Sequence, residues 1–267
     1  MDKIHIAIIV PFRDIHSEQM RTVHLNRFIK EMPLLFETFL TNVDNKDRYD
    51  YKILIIEQNN YDTLKFNRGK LLNIGFKIAK QFDCNIFIFH DVDLLPSMNL
   101  VTNAYFKYPT NPMHIAKVWN RYSSNPKYFG GIVSMNELDF VKINGFPNNF
   151  WGWGGEDDEM YLRLRANNLM FDVPKEGEII DMEDMDIGQK LGFLKEHTNW
   201  KCLNKTELLK EHNETWKENG LNQTTYKTLK IKNYVPVNKC YKITVDIGLN
   251  GHWSDGKSDI NDVSYGK

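Results

Sequence analysis

Apolar residues in this chain fall into short blocks that alternate between two spacings. Residues 4–11 (IHIAIIVP) form a nearly continuous apolar run that stops at a proline, which predicts a buried strand. Residues 20–40 place Val23, Leu25, Phe28, Ile29, Met32, Leu35 and Phe36 at helical spacing. A second apolar strand is predicted at 51–56 (YKILII), followed by the polar loop EQNNYD. Residues 66–82 read as a helix carrying Leu71, Leu72, Ile74 and Ile78, and a third strand at 85–89 (NIFIF) runs into HDVDLLP. Strands that are apolar throughout, separated by helices, predict an α/β fold with a parallel sheet covered on both faces. Ligands of such sheets bind beyond the carboxyl ends of the strands. Three loops then share one rim: Pro11-Phe12-Arg13, Glu57-Gln58-Asn59-Asn60 and His90-Asp91-Val92-Asp93.

The second half has a different texture. Residues 128–160 are dense in Gly, Asn and aromatic residues, and 157–168 (DDEMYLRLRANN) predict a helix. Residues 175–190 are acidic and irregular, 203–218 predict a polar helix, and 225–247 alternate as two strands. No repeat, linker or low-complexity tract divides the 267 residues, so they are read as one domain.

Composition narrows the function classes. Hydrophobic residues at 42% and charged residues at 26% describe a soluble globular protein. A net charge of −1 argues against a nucleic-acid or membrane-surface binder, which would carry a strongly basic face. Cys84, Cys202 and Cys240 are too few and too scattered for a disulfide framework or a CxxC metal site, and are expected to be buried thiols. No apolar run approaches the ~20 residues of a spanning helix, so the expectation is a chain without a membrane anchor, cytoplasmic or otherwise soluble. Aromatic residues reach 13%; most are core filling, but rings on loops also serve as platforms for bases and sugars.

Three segments stand out chemically. Asp91-Val92-Asp93 directly follows an apolar strand; if extended, its two carboxylates point the same way and call for a cation between them. The alternative is a solvated loop with two ordinary acids. Residues 150–158 (FWGWGGEDD) suit neither a helix interior nor a strand. Glycines there let a ligand approach, a Trp face packs on a sugar ring, and a carboxylate acts as general base. If Asp157 opens the next helix, the helix N-terminus favours its ionised form. Ordinary capping with an acidic first turn would explain the acids but not the Trp-Gly-Trp-Gly-Gly before them. Phe66-Asn67-Arg68-Gly69-Lys70, at a helix start, and Arg13, after a strand, offer cations for phosphate, or equally a solvated basic turn. His197 and His90 are candidate ligands, against the commoner fate of a solvated histidine. Together these describe a metal-assisted sugar-nucleotide transferase, in which a metal steadies the leaving diphosphate and a carboxylate deprotonates the acceptor hydroxyl.

IIVPFRD, FNRGKLLNIGF, FIFHDVDLLP, YFGGIVSM and NGFPNNFWGWGGEDDE, in that order, resemble the β-1,4-galactosyltransferase family over residues 5–230, and GLNQTTYKTL is similar as well. The resemblance implies a GT-A fold, a mostly parallel sheet, a UDP-galactose donor, Mn²⁺ dependence and a glycan or glycoside acceptor. The galactose would move with inversion to GlcNAc, glucose or xylose in a β-1,4 linkage. Residues 1–100 would form the nucleotide-binding half and 101–267 the acceptor-binding half. By the same resemblance Pro11, Phe12, Arg13, Phe66 and Arg68 would hold the nucleotide. Asp91, Val92, Gly131, Trp153 and Glu156 would complete the donor site. Tyr128, Trp153, Gly155, Asp157 and Asp158 would meet the acceptor, with Asp157 as base. Asp93 and His197 would ligate the metal.

The chain departs from the family pattern in places. Ile15 stands where some members carry a second arginine, and Leu194 replaces a methionine ligand. Lys195 replaces the first histidine of the HxH pair of the xylose branch. Rival readings are a transferase using UDP-N-acetylgalactosamine and a glycan-binding module that has kept the scaffold without catalysis.

Overall fold

The apolar run at the N-terminus becomes β1 (Ile4–Phe12), the middle strand of the computed structural model, which describes residues 3–61, 63–122, 124–234 and 239–248. β1 is flanked in parallel by β2 (Tyr49–Gln58) and β3 (Ile86–His90). A strand exposes alternate residues to opposite faces, and here both faces are dry. Ile4, Ile6, Ile8 and Val10 join one apolar cluster, while Ala7 and Ile9 join the other. The first cluster is closed by α1 (Arg21–Asn42) through Leu25, Phe28, Met32 and Phe36. The second is closed by α2 (Arg68–Ala79) through Leu71, Leu72 and Ile74. Burial on both faces is why these strands read as unbroken apolar runs.

The edges differ from an all-parallel sheet. A short helix α3 (Met98–Leu100) follows β4 (Leu94–Pro96), and β5 (Met113–His114) and β6 (Ile132–Asn136) then extend the sheet from β3, where β6 runs antiparallel. Beyond β6 come α4 (Glu137–Lys142) and α5 (Glu156–Ala166). β7 (Ile179–Asp181) pairs with β4 in a separate two-stranded sheet. Strand pairing and a capping box at Asp186–Gln189 therefore order part of the stretch expected to be irregular, and the box opens α6 (Ile187–Glu196). The polar region 203–218 holds α7 (Lys205–Lys210) and α8 (His212–Thr215). The final alternating stretch forms β8 (Lys227–Asn233) and β9 (Cys240–Asp246), with β9 inserted in parallel beside β2. The order is β5-β6-β3-β1-β2-β9-β8, parallel at its centre and antiparallel at both edges. Strands from both halves of the chain thus share one sheet.

The three cysteines are free and buried, and burial pushes the Cys84 and Cys240 thiols up to about 12. Among the described residues no helix is long and apolar enough to cross a membrane.

Candidate functional site

Because β1, β2 and β3 are parallel, their carboxyl ends meet on one rim, with Phe12 opposite Glu57. Pro11 and Phe12 lie within β1, and Phe12 is buried in the core. Arg13 is buried as well; its guanidinium donates to Leu64 O (2.5 Å) and Asn59 O (3.0 Å), so it fastens the loop after β2. Phe66 is half-buried beside the second cluster, and its carbonyl accepts from Gly152 N at 2.8 Å. Asn67 caps α2 by accepting from Lys70 N (2.9 Å), as the helix-start reading expects. The Lys70 ammonium is buried and donates to Ile247 O (2.7 Å), so it serves the chain beyond β9 rather than forming a phosphate-seeking pair with Arg68.

Arg68 sits at the centre of the rim. Its Nε donates to Asp91 Oδ1 (2.7 Å), its Nη1 to Asp157 Oδ1 (2.8 Å), and Glu156 Oε1 stands 3.6 Å from Nη1. One guanidinium thus gathers three carboxylates from two elements. Glu156 pays for this crowding: burial, reinforced by the Asp157 charge, lifts its carboxyl well above the usual carboxylate range. Its Oε2 is buried and has no hydrogen-bond partner. Burial also raises Asp91, against the pull of Arg68.

The Asp91-Val92-Asp93 segment is not extended. Leu94 N donates to Asp91 O in a turn, so the alternation of a strand does not apply to it. Its two carboxylates go to different cations, and Val92 is buried in the core. Asp93 Oδ2 accepts from Arg21 Nη1 (2.6 Å), while Arg21 Nη2 donates to Glu183 Oε1 (2.8 Å). Burial works against the Asp93 charge, yet Arg21 and Lys190 outweigh it and hold the carboxyl below the usual range. Glu183 also accepts from Arg121 (2.8 Å) and Lys190 (2.6 Å), and Arg121 pairs with Asp181. A cleft of about 700 Å³ adjoins this network, lined among others by Trp119, Arg121, Asp181 and Gln189.

The glycine-rich segment leads into α5, whose first turn holds Glu156, Asp157, Asp158 and Glu159. Gly155 precedes it at φ 104°, where a Cβ would press on the Phe150 ring, so no side chain caps this helix and the acids are not capping residues. Asp158 is half-buried, and burial raises its carboxyl against the nearby Lys205 and Lys127. Trp153 remains 37% exposed, held by backbone bonds to Trp200 O (2.8 Å) and from Cys202 N (3.0 Å). Across the site, a Cβ on Gly130 would collide with Asp157 Oδ2. Gly131 O accepts from Asp91 N at 2.9 Å. Tyr128 stacks on Tyr122 with centroids 4.4 Å apart. The YFGG segment therefore packs between Asp91 and Asp157.

The two candidate histidine ligands have other company. His90 is fully buried; Nδ1 donates to Asp91 O and the Tyr105 hydroxyl donates to Nε2, both at 2.8 Å. With both nitrogens engaged, it does not serve as a ligand in this arrangement. The His197 ring lies flat on Trp200 at 3.8 Å, and His16 stacks on Trp200 at 4.3 Å. Among the described residues no group of three His, Cys, Asp or Glu side chains is placed to hold a metal. Arg21, Arg121 and Glu183 join Asp93 in a charge network that the sequence reading missed. Their bonds to Asp93 and to one another span 62 to 162 positions, with no local pattern to mark them.

His114, under the YFGG segment, offers a test of the packing. Its Nε2 donates to Gly130 O (3.0 Å), and burial pushes the ring down to about 4 from 6.5. A base with a depressed folded pKa contributes stability above pH 6.5 that is lost as pH falls toward 4. The stability of the wild type relative to His114→Asn should therefore drop by about 2 kcal/mol between about pH 7 and about pH 5. Thermal melts of the two proteins across that range check it, and a pH-independent difference contradicts the buried neutral ring.

Two family models match the chain: the N-terminal region of glycosyl transferase group 7 at residues 1–105 and the N-terminal domain of galactosyltransferase at 110–189. Beta-1,4-galactosyltransferase 1 of Bos taurus is 35% identical over 247 residues, covering 91% of this chain and 54% of that protein. Beta-1,4-galactosyltransferase 4 of Mus musculus is 33% identical over 254 residues, covering 90% and 63%. The chain thus spans somewhat over half the length of these curated relatives. The catalytic domain of Drosophila beta1,4galactosyltransferase 7 with xylobiose superimposes with a TM-score of 0.68 at 26% identity, covering 92% of this chain and 95% of that one. A mutant of the same enzyme in complex with manganese, UDP-Gal and xylobiose matches equally well. With its α/β GT-A fold and its ordered site motifs, this chain belongs to the β-1,4-galactosyltransferase family, glycosyltransferase family 7.

Proposed function

We propose that this protein transfers galactose from UDP-galactose to a hydroxyl of an acceptor sugar, with inversion and a β-1,4 linkage, in the presence of Mn²⁺. The observation that carries the reading is the Arg68 cluster. It presents a buried Glu156 oxygen without a partner beside an Asp157 carboxylate, at the rim where a parallel sheet receives its ligands. A buried polar atom left unpaired is costly unless a ligand satisfies it. Raised toward its neutral form, Glu156 can also donate to a sugar hydroxyl. Asp157, at the start of α5 and oriented by Arg68, accepts the proton of the acceptor hydroxyl as that oxygen attacks the galactose anomeric carbon. UDP leaves from the opposite face, and the anomeric configuration inverts. Trp153, half out of the surface, offers its ring to the sugars, with Gly155 and Asp158 beside the acceptor. Pro11, Phe12, Arg13, Phe66 and Val92 shape the nucleotide side mainly as scaffold, and Asp91 and Gly131 border the sugar.

Asp93 is the residue that the metal-dependent reading assigns to a hard divalent cation, although among the described residues no group of three ligating side chains surrounds it. The Asp93 and Glu183 carboxylates are drawn to one guanidinium, and buried His24 leaves Nδ1 unpartnered in their electrostatic reach. Asp93 would hold the ion, which when bound neutralises charge on the departing diphosphate.

A screen of UDP-sugars with Mn²⁺, against xylose, glucose and N-acetylglucosamine glycosides, tests the whole reading. Galactose transfer is expected; turnover only with UDP-N-acetylgalactosamine, or glycan binding without turnover, would replace it with a different activity. Donor choice has its own test at Tyr128, whose hydroxyl lies beside Gly131 and which, in this reading, would crowd any group on the sugar C2. UDP-galactose should be preferred at least ~10-fold, which requires only about 1.4 kcal/mol of discrimination. Tyr128→Leu should raise kcat/KM for the N-acetylated donor; equal losses with both donors mean that the ring only supports the loop.

A further inference from the structure

We infer that Arg163 is a positioning residue for the Asp157 base: it locks α5 to the loop at residues 144–147, on which the Arg68 guanidinium rests. The inference rests on the galactosyl transfer proposed above. Arg163 lies on the same helix as Asp157 and is fully buried. Every arm of its guanidinium is engaged. Nε donates to Glu159 Oε1 (3.0 Å), Nη1 to the carbonyls of Asn144 and Gly145 (3.0 Å each), and Nη2 to Asn219 O (2.6 Å). Burial strips a guanidinium of its water, so a buried arginine is tolerated only where such partners replace that water. Glu159 supplies the countercharge from the first turn of α5, and His212 Nδ1 donates to the same oxygen at 2.9 Å. Gly220 leaves room for this junction, since a Cβ there would collide with Asn144 O and press on Arg163 Nη1.

The loop fastened in this way is the one that carries Arg68. The Arg68 guanidinium lies over the Phe146 ring, 5.8 Å from its centroid. On its other side the loop is tied to α2. Asn73 Nδ2 donates to Phe146 O (2.7 Å), and Phe146 N donates to Asn73 Oδ1 (2.9 Å). At Gly69, next to Arg68, a Cβ would strike Pro147 O, so helix and loop are in close contact. Arg68 on α2 and Asp157 on α5 are thus referred to one loop, and their 2.8 Å contact depends on how that loop meets Arg163. A base works only while it stays aimed at the hydroxyl it deprotonates, and a misplacement of about 1 Å can cost ~10²-fold in rate. An arginine that served stability alone would weaken the fold when replaced, without altering the geometry at Asp157.

Arg163→Lys separates the two roles. It keeps a positive charge opposite Glu159 but lacks the fork that spans the loop carbonyls and Asn219. Single-turnover rates with UDP-galactose, Mn²⁺ and a glycoside acceptor are measured on wild type, Arg163→Lys, Asp157→Asn and the double variant. Arg163→Lys should lower the rate at least ~10-fold, with the UDP Kd from calorimetry within about threefold of wild type. In the Asp157→Asn background the same substitution should cost less than about threefold, because no base is left to misplace. Equal losses in the two backgrounds, or an unchanged rate in folded Arg163→Lys, overturn the inference. Phe146→Leu removes the ring beneath Arg68 without touching Arg163 and should repeat the pattern. If Arg163→Lys does not fold, this variant decides alone, by the same two criteria. A near-normal rate in Asp157→Asn, or no galactose transfer by the wild type, overturns the inference too, but by removing the base or the reaction on which it rests.

Discussion

Asp157→Asn should lower kcat by ~10²–10⁴, the usual worth of a positioned general base, while leaving UDP binding within a few-fold of wild type. The substitution keeps the size of the side chain and an oxygen for Arg68 Nη1, so the cluster loses its base without losing its shape. It also removes the negative charge that helps lift Glu156. Glu156 should then ionise more readily and restore part of the charge balance around Arg68, so the variant should melt close to wild type. Single-turnover rates with UDP-galactose and a glycoside acceptor, set beside UDP calorimetry, check both halves. A near-normal rate would transfer the base role to Asp158 or Glu156 and leave Asp157 as a partner of Arg68 only.

The second large effect is expected at Arg68 itself. Arg68→Met leaves Asp91, Asp157 and Glu156 gathered with no cation between them. Removing one partner of a buried ion pair costs about 3 kcal/mol when the remaining charges stay partly hydrated. In a domain of this size that corresponds to a Tm lower by roughly 6–12 °C. The loss should shrink in acid, because Asp91 and Glu156, both raised by burial, take up protons as the pH falls and no longer repel. Arg68→Lys should recover less than half of the stability. An ammonium carries the charge but lacks the fork that reaches Asp91 with one nitrogen and Asp157 with another. Thermal melts of the three proteins at neutral and mildly acidic pH decide the matter. A wild-type melting temperature in Arg68→Met would mean that the carboxylates are held apart by something other than this guanidinium.

Local pattern carried the sequence reading a long way, and its failures share one cause. β1, β2 and β3 were legible because strands dry on both faces must be apolar at every position. Asp157 stood out because Trp-Gly-Trp-Gly-Gly serves no regular element, and its place at the opening of α5 follows from the glycine that cannot continue the turn. Asp91 and Asp93 stood out in the sequence, but of the two conformations open to them the extended one does not form, since one hydrogen bond from Leu94 turns the chain between them. Lys70 shows the same limit: its neighbours suggest a phosphate site, while its partner is Ile247, at the far end of the described chain. The cations that balance Asp93 and Glu183 come from α1, from the turn at Arg121 and from α6. Periodicity reports which face of an element is buried; it is silent on which distant charge will stand opposite.

The placement of β9 bears on how the chain is made. It is an interior strand beside β2, yet it is drawn from the last described stretch, and Lys242 reaches Glu57 across 185 positions. While the ribosome is still adding the intervening residues, β1, β2 and β3 can pair, but the outer side of β2 stays an open ladder of unpaired amides. Such an edge recruits strands from other chains, and closing it over so long a separation is slow. Early release from the ribosome, or a nonsense codon upstream of Cys240, would yield a sheet that lacks one of its middle strands rather than a trimmed enzyme. Until β9 pairs with β2, that open edge is the part of the sheet most exposed to aggregation.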